Sequence, residues 1–212
     1  MVTVTTENAM RAGPDTAATG ENGARAALYG VFAHLFADRP SAELLERIAE
    51  AGDMIVAEDS ILAREWQALC LAAGAVDQAA VSNEFDALFV STSLPPVSLY
   101  ASSYMSGRLR GQLLAELRED LARIGYARAE QSAEYEDHFS ALCDVMRGLI
   151  GESSISEDAV EQQQVFFQHY IAPWHGRLFE KVDKAVGADF YRKVVRVADD
   201  FLTHETQYFE LA

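Results

Sequence analysis

Apolar residues recur at intervals of three and four through segment after segment of this chain, and that spacing limits what it can fold into. Leu28, Phe32, Leu35 and Phe36 fall on one face of a helix predicted over Ala24 to Asp38, which Pro40 stops. The same stripe returns in Leu44, Leu45 and Ile48, with Ser41 as N-cap and Gly52 closing, and in Ile61, Leu62, Trp66 and Leu69, begun by Asp59 or Ser60 and ended by Gly74. It returns again over Asp77 to Phe89, through Leu113, Leu114, Leu117 and Leu121 in a segment running from Tyr104 to Ile124, and through Phe139, Leu142, Met146, Leu149 and Ile150. Three further helices follow: one from Ser156 carrying Phe166, Phe167 and Tyr170, one opened by Pro173 and Trp174, and one over Asp189 to Phe209. No stretch alternates apolar and polar residues as a half-buried strand must. The chain is therefore predicted to be all-α, a single globular domain of about nine helices over 24–212, behind a flexible tail over 1–23.

Charge excludes whole classes of partner. With 33 acidic against 17 basic side chains the formal charge is −16, which repels phosphate backbones and anionic lipid headgroups and attracts basic partners. Nucleic acid is not expected. Neither is stable membrane insertion, because no apolar run approaches the roughly 20 residues that span a bilayer. The first residues lack the basic start and apolar run of an export signal, so a cytoplasmic protein is expected. Cys70 and Cys143 form no Cys-x-x-Cys pair and suit a reducing compartment.

Two stretches depart from regular helix. Ser91 to Ser103 contains the Pro95-Pro96 pair and then Val97, Ser98, Leu99 and Tyr100, with Tyr104 just beyond. A connection of that length in a compact domain is either a functional loop or a hinge between helical halves, through which two copies could exchange domains. About thirty residues on, Glu134-Tyr135-Glu136-Asp137-His138 packs acids and an imidazole against the head of an apolar helix. With Ser132 as cap and the helix starting near Ala133, the acids would occupy the first turns, where the helix dipole alone favours them. His138 borders the apolar stripe, a position that suits either a satisfied core-edge histidine or one that donates to a peptide carbonyl.

Catalytic signatures are missing. There is no phosphate-cradling glycine loop, no nucleophile elbow, and neither cysteine has a catalytic setting. A di-iron bundle needs Glu-x-x-His pairs on facing helices, whereas Glu134 and His138 are four apart with no counterpart, and His169, His175 and His204 lack ligand spacing. No catalytic residue, metal or cofactor is assigned. The alternative function is a metal-dependent helical enzyme using His138 and its carboxylates.

Three regions together resemble the TorD/DmsD/NarJ family of cytoplasmic chaperones for molybdenum-cofactor oxidoreductases. Glu84-Phe85-Asp86-Ala87-Leu88-Phe89 followed by Pro95-Pro96-Val97-Ser98-Leu99-Tyr100 is similar to the family's Leu-Phe ending and its Pro, aromatic, any, Ser, any, Tyr loop. Glu134 to His138 is similar to its Glu-Pro-x-Asp-His signature, and His169 to Trp174 with Phe179, Phe190-Tyr191 and Phe201-Leu202 resemble its closing helices. Pro96 stands where the loop usually has an aromatic residue, and Tyr135 where the signature has proline. The resemblance implies a TorD-like, non-enzymatic chaperone, monomeric or a domain-swapped dimer. Its partner would be the twin-arginine signal peptide or N-terminal segment of a molybdoenzyme catalytic subunit, held during cofactor insertion and proofreading before export or assembly. A basic, mildly apolar peptide calls for acids beside a hydrophobic surface. On that resemblance Glu134 and Asp137 are assigned to its basic part, His138 to its backbone, and Leu99, Tyr100 and Tyr104 to its apolar side chains, with Ser98 of the same loop also expected to bind the peptide.

Overall fold

Helix boundaries follow the apolar stripes, and where they do not, a long-range contact is responsible. The computed structural model describes residues 20–52, 60–90, 95–105, 110–127, 135–152 and 158–211. Most of the expected tail, Asp59, Ser91 to Leu94 of the expected hinge, Leu109, Ser132 to Glu134 and Ser156 lie outside the described residues. In order the elements are α1 (Glu21–Ala37), α2 (Ala42–Glu50), α3 (Ile61–Ala75), α4 (Gln78–Phe89), a 3-10 turn (Ala101–Ser103), α5 (Arg110–Arg123), α6 (Phe139–Glu152), α7 (Ala159–Tyr170), α8 (His175–Asp183) and α9 (Phe190–Leu211). The chain is all-α. Among the described residues, extended backbone pairs only in an isolated antiparallel bridge between Tyr100 and His138.

The chain divides into two compact units, one joining the chain up to Ala33 with Tyr100–Pro173, the other joining His34–Leu99 with Trp174–Ala212. In the first, Leu113, Leu114, Leu117 and Leu121 line the buried face of α5, and α6 packs on α7. Phe139, Leu142, Cys143, Met146 and Leu149 of α6 and Phe166 and Phe167 of α7 are all within 3% of full burial. Buried Arg25 ties in α1: its guanidinium donates to Asn22 Oδ1 at 3.0 Å and Gln163 Oε1 at 3.2 Å, while Gln163 Nε2 donates to the Leu149 carbonyl at 3.2 Å. At Gly148 a Cβ would overlap the Tyr126 hydroxyl, so any other residue there forces the buried Tyr126 ring to shift. Gly125, at φ +81°, ends α5 in the left-handed conformation that glycine adopts freely.

In the second unit α3, α4 and α8 each pack on α9, and α2 packs on α3. Ser41 and Ser60 cap as predicted, accepting from Leu44 N at 3.2 Å and Ala63 N at 3.0 Å. The N-terminus of α9 is held by a residue from α4. The Glu84 carboxylate accepts from the backbone N–H of Asp189 (3.0 Å), Phe190 (3.0 Å) and Tyr191 (2.7 Å). These are the donors a helix start leaves unpaired, and the dipole there favours an anion. Next to it Tyr191 is packed edge-on by Phe89 (5.0 Å) and tilted against Phe36 (5.8 Å) and Phe85 (6.0 Å), while its hydroxyl donates to the Leu35 carbonyl at 2.7 Å. Burial, then the Glu84 and Asp38 charges, push its phenol well above the ordinary value.

Several boundaries differ from the sequence reading. α1 begins at Glu21, so the last residues assigned to the tail are helical. Gly74 does not end α3, which runs to Ala75; it lies within the helix beside Ala49 of α2, where a Cβ would make ordinary van der Waals contact at 3.4 Å. Ile61, expected inside, is 57% exposed at the first position of α3. The described part of the fifth helix begins at Arg110, and Tyr104 closes the 3-10 turn instead of opening a helix. α6 begins at Phe139 and not near Ala133, so Glu136 and Asp137 precede it. The cause is the Asp137 carbonyl, which accepts from Ala101 N at 2.9 Å and is thus unavailable to a helical ladder; the first α6 bond runs from Leu142 N to the His138 carbonyl.

Candidate functional site

The chain reaches the site through the proline pair. Neither Pro95 nor Pro96 can donate, so helix cannot continue there, and Val97 N turns back to the Leu88 carbonyl at 3.1 Å. Val97 and Leu99 are buried and Ser98 is half-buried in the second unit. Tyr100 begins the next part of the first unit, and its backbone pairs with His138. Asp137 fastens this pairing twice: its carbonyl accepts from Ala101 N and its Oδ2 from Ser102 N at 3.1 Å. The rings follow the backbones, with Tyr100 edge-on to His138 at 5.0 Å and to Tyr135 at 6.4 Å. His138 Nδ1 lies 2.7 Å from Ser140 Oγ and 3.3 Å from Ser140 N, a local pairing that orients the imidazole at the α6 entrance.

The two acids here are handled differently. Glu136 is only 4% exposed and is gripped by Arg118 of α5, whose Nε and Nη2 donate to its two oxygens at 2.8 and 3.0 Å. That bidentate bond raises the Arg118 guanidinium above its already high ordinary value. Asp137 is fully buried, and its Oδ1 has no hydrogen-bond partner among the described residues. Beside them Arg110 lies over both tyrosines, 5.1 Å from the Tyr100 ring centre and 4.5 Å from that of Tyr135.

The structure thus brings Tyr100, Asp137 and His138 together. His138, Leu99 and Tyr104 are each 5% exposed, so in this conformation the open side chains of the site are Tyr135, at 44%, and Arg110, with Tyr100 half-buried. Glu134 lies outside the described residues. Sequence reasoning missed Arg110 and Arg118. Both are polar positions of α5, and nothing in helical spacing marks them as partners of Tyr100, Tyr135 or Glu136.

Among the described residues no group of three or more His, Cys, Asp or Glu side chains could hold a metal ion. The thiols are equally unsuited to chemistry. Burial pushes Cys70 up to about 11 and Cys143 well above its ordinary value, leaving little thiolate at neutral pH.

Comparison with known proteins fits this geometry. Residues 57–180, over half of the chain and including the 84–100 and 135–138 motifs, match the family model described as nitrate reductase delta subunit. The chain belongs to the nitrate reductase delta subunit family. This is the NarJ/TorD-type grouping that the motifs resembled, a family of chaperone-type maturation proteins. The fold is similar to that of a crystal structure from Archaeoglobus fulgidus put forward as a redox enzyme maturation protein, with TM-score 0.55 at 20% identity over 88% of this chain and 99% of the other. No curated protein matches the chain. No helix among the described residues is long and apolar enough to cross a membrane.

Proposed function

We propose that this nitrate reductase delta subunit family member is a non-enzymatic, client-specific chaperone of the cytoplasm. It binds the signal peptide or N-terminal segment of a molybdenum-cofactor oxidoreductase catalytic subunit and holds it until cofactor insertion is complete. The observation that carries the reading is the Tyr100–His138 bridge, fastened by Asp137, which joins the loop motif and the acidic motif at one place. A buried carboxylate with one oxygen unpaired is costly to keep and is an acceptor that an incoming N–H can complete. Tyr100 and Tyr135 offer aromatic surface beside it. Because Asp137 is sealed by the 3-10 turn, binding engages it by loosening the Ser102 N–H bond, with Tyr104 uncovered in the same movement.

Calorimetry with a synthetic leader peptide, two arginines followed by an apolar stretch, tests this directly. The native chain binds it, and Asp137→Ala with His138→Ala weakens binding at least ten-fold while the circular dichroism of the helices is kept. Unchanged affinity in the double variant removes these residues from the site, and no binding to the native chain removes the function.

A further inference from the structure

Arg110 differs from the other described arginines of its unit. Arg118 is paired with Glu136, Arg123 with Asp120 and Arg147 with Asp144, and Arg25 is hydrogen-bonded to Asn22 and Gln163. Among the described residues the Arg110 guanidinium meets no carboxylate or carbonyl; its contacts are the rings of Tyr100 and Tyr135. Both lie within the roughly 6 Å at which a cation is attracted to a ring face, and the rings stand at 67° to one another, as two walls of an open angle. One wall is fixed, since the Tyr100 backbone is bridged to His138 and its ring rests against the imidazole. The other, Tyr135, is exposed, and occupies the position where the family signature has a proline that could not form it.

We propose that Tyr100 and Tyr135 form a guanidinium clamp which the chain's own Arg110 fills, and that an arginine of a bound basic segment takes its place. The inference rests on the proposed function for the identity of the guest, but the clamp is a separate claim. Arg110 is a suitable placeholder: exposed, and held by two ring contacts that any other guanidinium can reproduce at no net loss of interactions. An arginine guest is favoured over lysine because the planar guanidinium stacks on a ring, whereas an ammonium is a compact and strongly hydrated point charge. Guest arginine entering and Arg110 leaving keeps the number of cations at the rings constant, so no added repulsion opposes the exchange. Freed Arg110 then swings into solvent on a chain of net charge −16.

The clamp is tested first without any leader peptide. In Arg110→Gln protein, ethylguanidinium should shift the Tyr100 and Tyr135 ring resonances in a saturable way, and ethylammonium at equal concentration should not; absence of a selective shift overturns the clamp. The placeholder role is tested with the arginine-pair peptide, which should bind Arg110→Gln about three-fold more tightly than the native chain, a gain that a lysine-pair peptide does not share and that Tyr135→Ala abolishes. Equal or weaker binding to Arg110→Gln overturns the exchange. If neither protein binds either peptide, the proposed function fails, and the ethylguanidinium titration still decides the clamp.

Discussion

Two carboxylates, each contributed by a motif of the family, are treated in opposite ways by the fold. In the second unit Glu84 accepts three backbone N–H groups at the start of α9; in the first, Asp137 accepts one, at Ser102, and keeps an oxygen unpaired although fully buried. A carboxylate with both oxygens engaged by backbone donors has little left to offer a ligand, and Glu84 serves the fold. A half-satisfied one is a position where the fold gives up stability, which is how binding sites differ from cores. Glu84-Phe85 to Phe89 and Phe190-Tyr191, both family-like, meet in one aromatic cluster and together hold α9 in place.

The largest test of this contrast is Glu84→Ala. It leaves the first donors of α9 without their shared acceptor and removes a favourable charge at the helix start, so unfolding free energy should fall by about 3 kcal/mol, read from a denaturant midpoint. A loss under about 1 kcal/mol would mean that water replaces the carboxylate easily, and the contrast with Asp137 would lose its firmer half.

Glu136 is the intermediate case, a buried acid satisfied by a side chain that is itself 49% exposed. Arg118→Ala should cost about 1–2 kcal/mol, because the carboxylate stays buried when this bidentate bond is gone. Half of the pair faces solvent, so the loss should shrink in high salt, which the Glu84 effect, built on backbone donors, should not do to the same degree. Equal salt dependence in the two variants would erase the distinction between backbone and side-chain satisfaction.

What was legible in the sequence divides along the same line. Stripes and serine caps were legible because their causes lie within four residues, as at Leu113 and Leu117 or Ser41 and Leu44. Glu84 gave no such signal, since its donors are 105 to 107 residues away. Gly74 was misread because a local rule makes glycine a stop, while the packing of α3 on α2 and α9 carries the helix past it to Ala75. The start of α6 was misplaced because Asp137 spends its carbonyl on Ala101, 36 positions earlier. The meeting of Tyr100 with His138 was foreseen through the family motifs; the residues taken alone left a hinge equally open. Arg110 and Arg118 gave no signal because an aromatic or acidic partner across the unit leaves no trace in helical spacing.

Tyr191→Phe sharpens the saturated side. It removes the hydroxyl bond to Leu35 and should cost about 1 kcal/mol at neutral pH. The phenol is held well above its ordinary value, chiefly by burial. The unfolded chain therefore releases this proton near pH 10 while the folded chain retains it. Its contribution to stability is complete below about pH 10 and declines as pH rises further. Alkaline denaturation of the native chain should carry that slope and the variant should lack it, so parallel profiles would show that Tyr191 ionises without resistance and that the cluster around Glu84 is looser than its packing indicates.

The smallest expected change in stability is the most informative, and comes from replacing each acid by its own amide. At Glu84 the glutamine NH2 is turned toward backbone N–H groups, so at least one of the three bonds is exchanged for a donor facing a donor, and about 1–2 kcal/mol should be lost. At Asp137 the asparagine oxygen can keep the Ser102 bond while its NH2 takes the place of the unpaired Oδ1. A buried charge with one oxygen unpaired disappears and an unpaired amide donor appears, two terms of opposite sign, leaving a net change under about 1 kcal/mol in either direction. Leader-peptide affinity should behave in the reverse manner, falling several-fold in Asp137→Asn because the amide cannot accept where the carboxylate could, and staying level in Glu84→Gln. Thermal melts and calorimetry on the two variants fill the four cells of this comparison. If Asp137→Asn unfolds as readily as Glu84→Gln and binds as the native chain does, Asp137 is a structural acid like Glu84, and its empty oxygen marks an imperfection of packing instead of a place for a guest.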